Sequence, residues 1–209
     1  MTEWLVARVA MYRLLARIFT FPMTANTLHE LAGLEAGPDA PPALRDALVG
    51  MQARLGEESG NLLDELNGEL SRLTCGPGLP PAVPYASYYL GQSHALFGPE
   101  TQAVAKLYRE AGYAPVEPGT PADHIALELE FMAAMAGGSW EAAQRQDEPA
   151  VEVGLKAQVG FLNQHLGPFL GRFCPDLRAA ASEPFFEHSA ALLAEYAAMD
   201  VTMLEATLG

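Results

Sequence analysis

Cysteine is almost missing from this chain. Cys75 and Cys174 are the only two, 99 positions apart, and neither has a second cysteine or a histidine at ligand spacing. That argues against a disulfide framework and fits a reducing compartment. Positive charge is also scarce: 12 Lys and Arg stand against 26 Asp and Glu, a formal net charge of −14. Displacing counterions from a phosphate backbone takes lysine and arginine, so non-specific nucleic-acid binding is excluded. An anionic membrane surface is disfavoured for the same reason, whereas a cationic partner would be attracted. The chain has no run of 18 apolar residues, so nothing is expected to span a bilayer. Its apolar opening, "MTEWLVARVAMYRLLARIFTFP", is interrupted by Arg8, Arg13 and Arg17 and leads to no small-residue cleavage site. It reads as a helix of the mature protein and not as a signal peptide, and the expected location is cytoplasmic.

Half of the residues are hydrophobic and 18% are charged, with alanine and leucine dominant and β-branched residues sparse. This composition favours a folded, helical chain, and 209 residues suffice for one domain with a proper core. Leu5, Val9, Tyr12, Leu15, Ile18 and Phe19 recur at helical steps through 3–20, with Pro22 as the stop. Further helices are expected at 25–34, 42–56 and 60–74, the last two flanked by an acidic, solvated face of Glu57, Glu58, Asp64, Glu65 and Glu69. "CGPGLPPAVP" (75–84) then breaks the chain with four prolines and two glycines and reads as a stiff loop or hinge. After a partly helical aromatic stretch, helices are expected at 101–111, closed by Gly112, and at 121–136, closed by Gly137-Gly138. A short helix at 140–147 and a longer one at 149–166 follow, then a bend with a short apolar helix, then a final helix at 183–207. With no alternating strand pattern and no repeat, the expected architecture is an all-α, single-domain bundle of about eight to ten helices.

One stretch asks for a chemical explanation. "EPGTPADHIALELEFM" (117–132) places an Asp-His pair where an apolar helix begins. With Thr120 as N-cap and Pro121 at the first helical position, Asp123 falls at the third, a capping-box spacing. A negative charge there also suits the helix dipole. The cap does not explain His124, whose ring is expected to be neutral at this end of a helix. Catalytic and metal-site readings stay open but find little support. His29, His94, His165 and His188 are scattered, and neither an H-x-x-x-H nor an H-E-x-x-H motif occurs. No G-x-S-x-G and no phosphate-binding glycine loop is present.

Several segments, taken in order, carry a resemblance: "YRLLARIFTFP" (12–22), "PYASYYL" (84–90), "LYREAGY" (107–113), "PADHIALELEFM" (121–132) and "FLNQHLGPFLGRF" (161–173). Together they resemble the TorD/DmsD/NarJ family of cytoplasmic chaperones dedicated to molybdenum-containing redox enzymes. The resemblance implies an all-helical fold with no enzymatic activity and no cofactor. It implies binding of the twin-arginine signal peptide, the apo form, or both, of a molybdopterin-containing oxidoreductase subunit, with export delayed until the cofactor is inserted. Either a monomer or a homodimer is implied. The family's hallmark Asp and His, implicated in peptide binding, match Asp123 and His124 after Pro121. Tyr108 and Gly112 match the tyrosine and glycine ahead of that turn. Tyr85, Ser87 and Tyr88 match the segment after the proline-rich loop. Two positions depart from the pattern: "PGT" separates Glu117 from the Pro-x-Asp-His motif, and Phe169 stands where tryptophan is common.

A twin-arginine peptide offers two guanidinium groups and an apolar run. Carboxylates take arginine in a bidentate fork; Asp123 and Glu128 are the candidates. A neutral His124 can donate or accept. Tyr85, Tyr88, Tyr89 and Phe97 are candidates for an apolar groove. The alternative from another class is a small metal-dependent hydrolase working through Asp123 and His124, which would need several more converging groups.

Overall fold

The computed structural model describes residues 2–57, 60–76, 78–92, 94–114 and 119–209. Glu58 and Glu117 lie outside the described residues. Ten α-helices are present among them: α1 (Thr2–Ile18), α2 (Ala25–Ala32), α3 (Pro42–Leu55), α4 (Leu62–Thr74), α5 (Ala86–Leu90), α6 (Pro99–Glu110), α7 (Ile125–Gln144), α8 (Glu148–Phe161), α9 (Gly167–Ala180) and α10 (Pro184–Leu208). A π-helical turn, Leu162–Leu166, joins α8 to α9. There is no strand among the described residues, only one isolated bridge, Tyr85 to His124. No described helix is long and apolar enough to cross a membrane.

The contacts resolve two compact units, each built from separated stretches of chain. One comprises residues 1–16, 85–169 and 200–209; the other comprises 17–84 and 170–199. The proline-rich loop belongs to the second unit, and Pro84 closes that stretch. In this second unit the core is formed by Leu44, Leu48, Met51, Leu66, Leu70 and Leu73 with Phe173, Leu177, Phe185 and Phe186. Glu69 departs from the expected solvated acidic face. It is buried, and its carboxylate takes two hydrogen bonds from Arg72 (2.7 Å each) and two from the Ser182 amide and hydroxyl (2.7 and 2.8 Å). The Arg72 guanidinium, with Ser182 assisting against burial, holds its pKa down at about 2. Four donors make burial of this carboxylate tolerable where an unpaired one would be expelled.

The first unit holds the site. Its α7 carries much of the core, with Ile125, Leu127, Leu129, Phe131 and Met132 all buried. The expected stop at Gly137-Gly138 does not occur; α7 runs through it to Gln144. Two glycines cost a helix on the order of 2 kcal/mol relative to alanine, and close packing outweighs that. Ser139 on α7 lies so near Gly154 on α8 that any side chain at 154 would collide with its hydroxyl. Gln158 of α8 donates from one amide nitrogen to the Ser139 hydroxyl at 2.9 Å and to the Gly154 carbonyl at 3.0 Å. The separate helix expected at 140–147 is therefore the end of α7. Likewise α9 is a full helix of 14 residues with Pro175 inside it, not a bend with a short helix.

In the same unit, α1 and the last stretch of α10 are joined by a buried ion pair. Arg8 donates from Nε and Nη2 to the two carboxylate oxygens of Asp200 at 2.6 and 2.8 Å, and the Tyr12 hydroxyl adds a third bond at 2.6 Å. Arg8 and Asp200 are 2% and 1% exposed. The Arg8 guanidinium also lies 5.0 Å from the centre of the Trp4 ring. Removing one partner leaves a buried charge without its counter-ion, which typically costs about 3–5 kcal/mol. Asp200→Ala is expected to lose about that much in urea unfolding. The double replacement Arg8→Met with Asp200→Leu is expected to recover most of the loss.

Candidate functional site

The site is assembled where α5, the end of α6 and the start of α7 meet. "PYASYYL" leaves the proline-rich loop in extended form at Tyr85 and turns directly into α5. Tyr85 pairs with His124 in the isolated antiparallel bridge, and the Ala86 amide donates to the Asp123 carbonyl at 2.9 Å. The Asp123 side chain then reaches across: its Oδ2 accepts from the Ser87 amide at 2.8 Å. Ser87 is the second residue of α5, so this carboxylate satisfies one of the amide donors that a helix start leaves open. The predicted capping box with Thr120 is not formed, because α7 begins at Ile125 and not at Pro121. The Pro121 carbonyl instead accepts from the His124 amide at 3.1 Å, closing a turn ahead of the helix. Asp123 is a cap, but of α5 and not of its own helix.

His124 is the N-cap of α7. Its Nδ1 accepts from the Ala126 amide at 3.2 Å, which assigns the ring proton to Nε2. Burial pushes its pKa down to about 4, against an opposing pull from the Asp123 carboxylate. The ring is thus neutral at neutral pH, as expected for a cap that must accept. It is half-buried and packs edge to face on Tyr85, with centroids 5.2 Å apart. Tyr85 meets Phe97 in the same way at 5.4 Å. Phe97 is 54% exposed and Leu96 37% exposed, and Phe97 has a positive φ of 63°, a conformation side chains rarely adopt without support. That support is the bond from the Phe97 amide to the Ser87 hydroxyl at 3.2 Å. Tyr88 packs at 5.0 Å on the buried Tyr89 and at 4.9 Å on His94. Tyr85, Tyr88, His124 and Phe97 therefore form the accessible aromatic part of the site, and Ser87 and Tyr89 lie beneath it.

Gly112 and Tyr108 shape the backbone ahead of the site. Gly112 has φ +68°. The Tyr113 amide donates to the Tyr108 carbonyl at 2.8 Å and the Gly112 amide to the Arg109 carbonyl at 3.1 Å. This is a Schellman motif, and a glycine meets its left-handed position without strain. The buried Tyr108 hydroxyl donates to the Ala122 carbonyl at 2.8 Å, fixing the turn just ahead of Asp123. Burial holds its pKa well above that of an ordinary tyrosine, so it remains a donor.

Asp123 and Glu128, the two candidates for an arginine fork, are both 0% exposed. Each keeps one carboxylate oxygen without a partner among the described residues, Oδ1 of Asp123 and Oε2 of Glu128. Glu128 Oε1 is held by His165 Nε2 at 2.9 Å. Burial drives the Glu128 pKa up to about 7, against the opposing bond from His165. His165 was not legible as a site residue: its partner lies 37 positions away, and no local spacing announces it. No group of three or more His, Cys, Asp or Glu among the described residues is placed to hold a metal ion.

The depressed pKa of His124 has a definite sign. Protonation below the ordinary histidine range favours the unfolded chain, so this contribution to stability is complete above about pH 6.5 and is lost as pH falls through about 4. His124→Asn keeps a good N-cap and removes the titration. It is expected to spare roughly 2 kcal/mol of the loss between pH 7 and pH 4, after allowance for partial exposure. Urea unfolding of both proteins at the two pH values checks this.

Residues 38–175 match the family model described as nitrate reductase delta subunit. The chaperone protein TorD of Photobacterium profundum is 35% identical over 124 residues, covering 59% of this chain and 56% of that relative. TorD of Vibrio parahaemolyticus is 30% identical over 175 residues, 83% of this chain and 79% of the relative. In fold, the chain is similar to the crystal structure of a putative redox enzyme maturation protein from Archaeoglobus fulgidus, with TM-score 0.55, 21% identity, and coverage of 95% of this chain and 93% of that one. The helical architecture expected from composition and periodicity is the fold of that protein. The chain belongs to the nitrate reductase delta subunit family, with TorD chaperones among its relatives, and is a chaperone and not an enzyme.

Proposed function

We propose that this chain is a cytoplasmic, system-specific chaperone of a molybdenum-containing oxidoreductase subunit. It binds the subunit's twin-arginine signal peptide, its apo form, or both, and delays export until the cofactor is in place. The observation that carries this reading is the paired character of the site around Asp123 and His124. A partly exposed aromatic cluster of Tyr85, Tyr88 and Phe97 is tied through Ser87 and His124 to a buried carboxylate that retains an unused acceptor, Asp123 Oδ1. The aromatic face suits the apolar run of a leader. The spare acceptor suits a guanidinium once the side chains over it part, since an arginine brings donors to a site that lacks them. His124 offers Nε2–H to a peptide carbonyl while Nδ1 stays committed to the cap. The net charge of −14 favours encounter with a basic segment. Family membership and the chaperone relatives support the client class.

Titration calorimetry with a synthetic peptide bearing adjacent arginines followed by an apolar run tests the reading. Asp123→Asn and Phe97→Ala are each expected to raise Kd roughly tenfold, about 1.4 kcal/mol. Lysine in place of both peptide arginines is expected to weaken binding as strongly, and added salt to weaken it further. Binding that ignores both the arginines and these substitutions overturns the peptide reading. Capture of a leaderless apo-subunit under the same conditions identifies the second kind of client.

A further inference from the structure

The π-helical turn between α8 and α9 has a purpose that the peptide-binding reading does not use. Such turns insert one extra residue into a helical path and are uncommon. Here the Gly167 amide bonds to the Leu162 carbonyl, five residues back. A side chain at 167 would put its Cβ 2.6 Å from that carbonyl oxygen, too close for any residue but glycine without a backbone shift. The sequence thus supplies the residue the wide turn demands. The turn carries His165, whose Nε2 lies 2.9 Å from Oε1 of the fully buried Glu128. Its ring is steadied by Phe161 at 5.3 Å, and Phe161 in turn packs on Phe131 of α7 at 5.2 Å.

Glu128 stands one turn into α7, and its amide donates to the His124 carbonyl at 3.0 Å. The same residue therefore links His165, through its side chain, to His124, through its backbone. Its other oxygen has no partner among the described residues, so among them the bond from His165 is the one side-chain hydrogen bond this carboxylate makes. We propose, resting on the reading of Asp123 and His124 as partner-binding residues, that His165 is a positioning residue of that site. The π-turn presents it to Glu128, and that bond fixes the first turn of α7 and with it Asp123 and His124.

The groups that act electrostatically on this pair are Asp123 ahead of α7 and Glu100 on α6; Tyr108 on α6 is in turn influenced by Glu128. Burial raises the Glu128 pKa, and the bond to Glu128 raises that of His165. The pair therefore holds its protons more strongly in the folded protein, and its contribution fades as pH rises through about 7.

The test uses the full chain and the synthetic twin-arginine peptide. His165→Phe is expected to raise the peptide Kd roughly tenfold and to speed hydrogen exchange at the Ala126 and Glu128 amides, leaving amides beyond Met132 unchanged. His165→Gln, whose amide can still donate to Glu128, is expected to stay within about threefold of the parent. Glu128→Gln is expected to flatten the pH dependence of affinity between pH 6 and 8. Gly167→Ala displaces the π-turn with His165 intact and is expected to weaken binding as His165→Phe does, so the proposal stays testable should the phenylalanine variant not fold. Parent-like affinity for a folded His165→Phe or Gly167→Ala protein, while Asp123→Asn loses binding, overturns the positioning role alone. Parent-like affinity for Asp123→Asn as well overturns the peptide-site reading beneath it.

Discussion

A carboxylate with no solvent exposure must be supplied with donors, and in this chain that requirement organises the site. Asp123 takes the Ser87 amide with its side chain while its carbonyl takes the Ala86 amide. Two consecutive peptide groups of α5 are thereby fixed against the entry to α7. The Ser87 hydroxyl holds the Phe97 amide, so the aromatic loop is set by the same contact at one remove. The exposed ring of Phe97, the edge-to-face ring of Tyr85 and the capping ring of His124 therefore hang from one buried hydrogen-bond network. Each bond in it contributes on the order of 1 kcal/mol, but an unsatisfied buried member costs more than that. This explains why an acidic residue sits inside a protein that has acidic residues to spare on its surface.

Much of the helical order was readable because amphipathic periodicity is a local property. Leu5, Tyr12, Leu15 and Ile18 lie at helical steps, and all are fully buried. The start of α7 was misread for a physical reason. Thr-Pro-x-Asp satisfies the local rules for a capped helix, and only the competing amide of Ser87, 36 positions away, draws the aspartate elsewhere. The glycine pair at 137–138 was misread as a stop because propensity is weighed without the packing of Ser139 against Gly154. Glu69 looked solvated because Ser182, 113 positions on, cannot be foreseen as its donor. The neutrality of His124 was legible, since a cation at a helix start is opposed by the dipole, and the ring's role as an acceptor follows from the same end effect.

The resemblance and the physical reading support each other at different levels. The quoted segments and the family match say which kind of protein this is. They do not say why Gly112 must be glycine or why Tyr108 must keep its hydroxyl. Those answers come from the Schellman closure of α6 and from the bond to the Ala122 carbonyl. Motif residues here divide into those that offer a surface, such as Tyr85 and Phe97, and those that hold the chain so that the surface exists, such as Gly112, Tyr108 and Ser87.

The tie between Arg8 and Asp200 bears on how the molecule is made. The two residues are 192 positions apart, and synthesis proceeds from the arginine toward the aspartate. Until Asp200 has been made, the first helix carries a cation without this counter-ion, so the bond that joins α1 to the last stretch of α10 is a late event of chain synthesis.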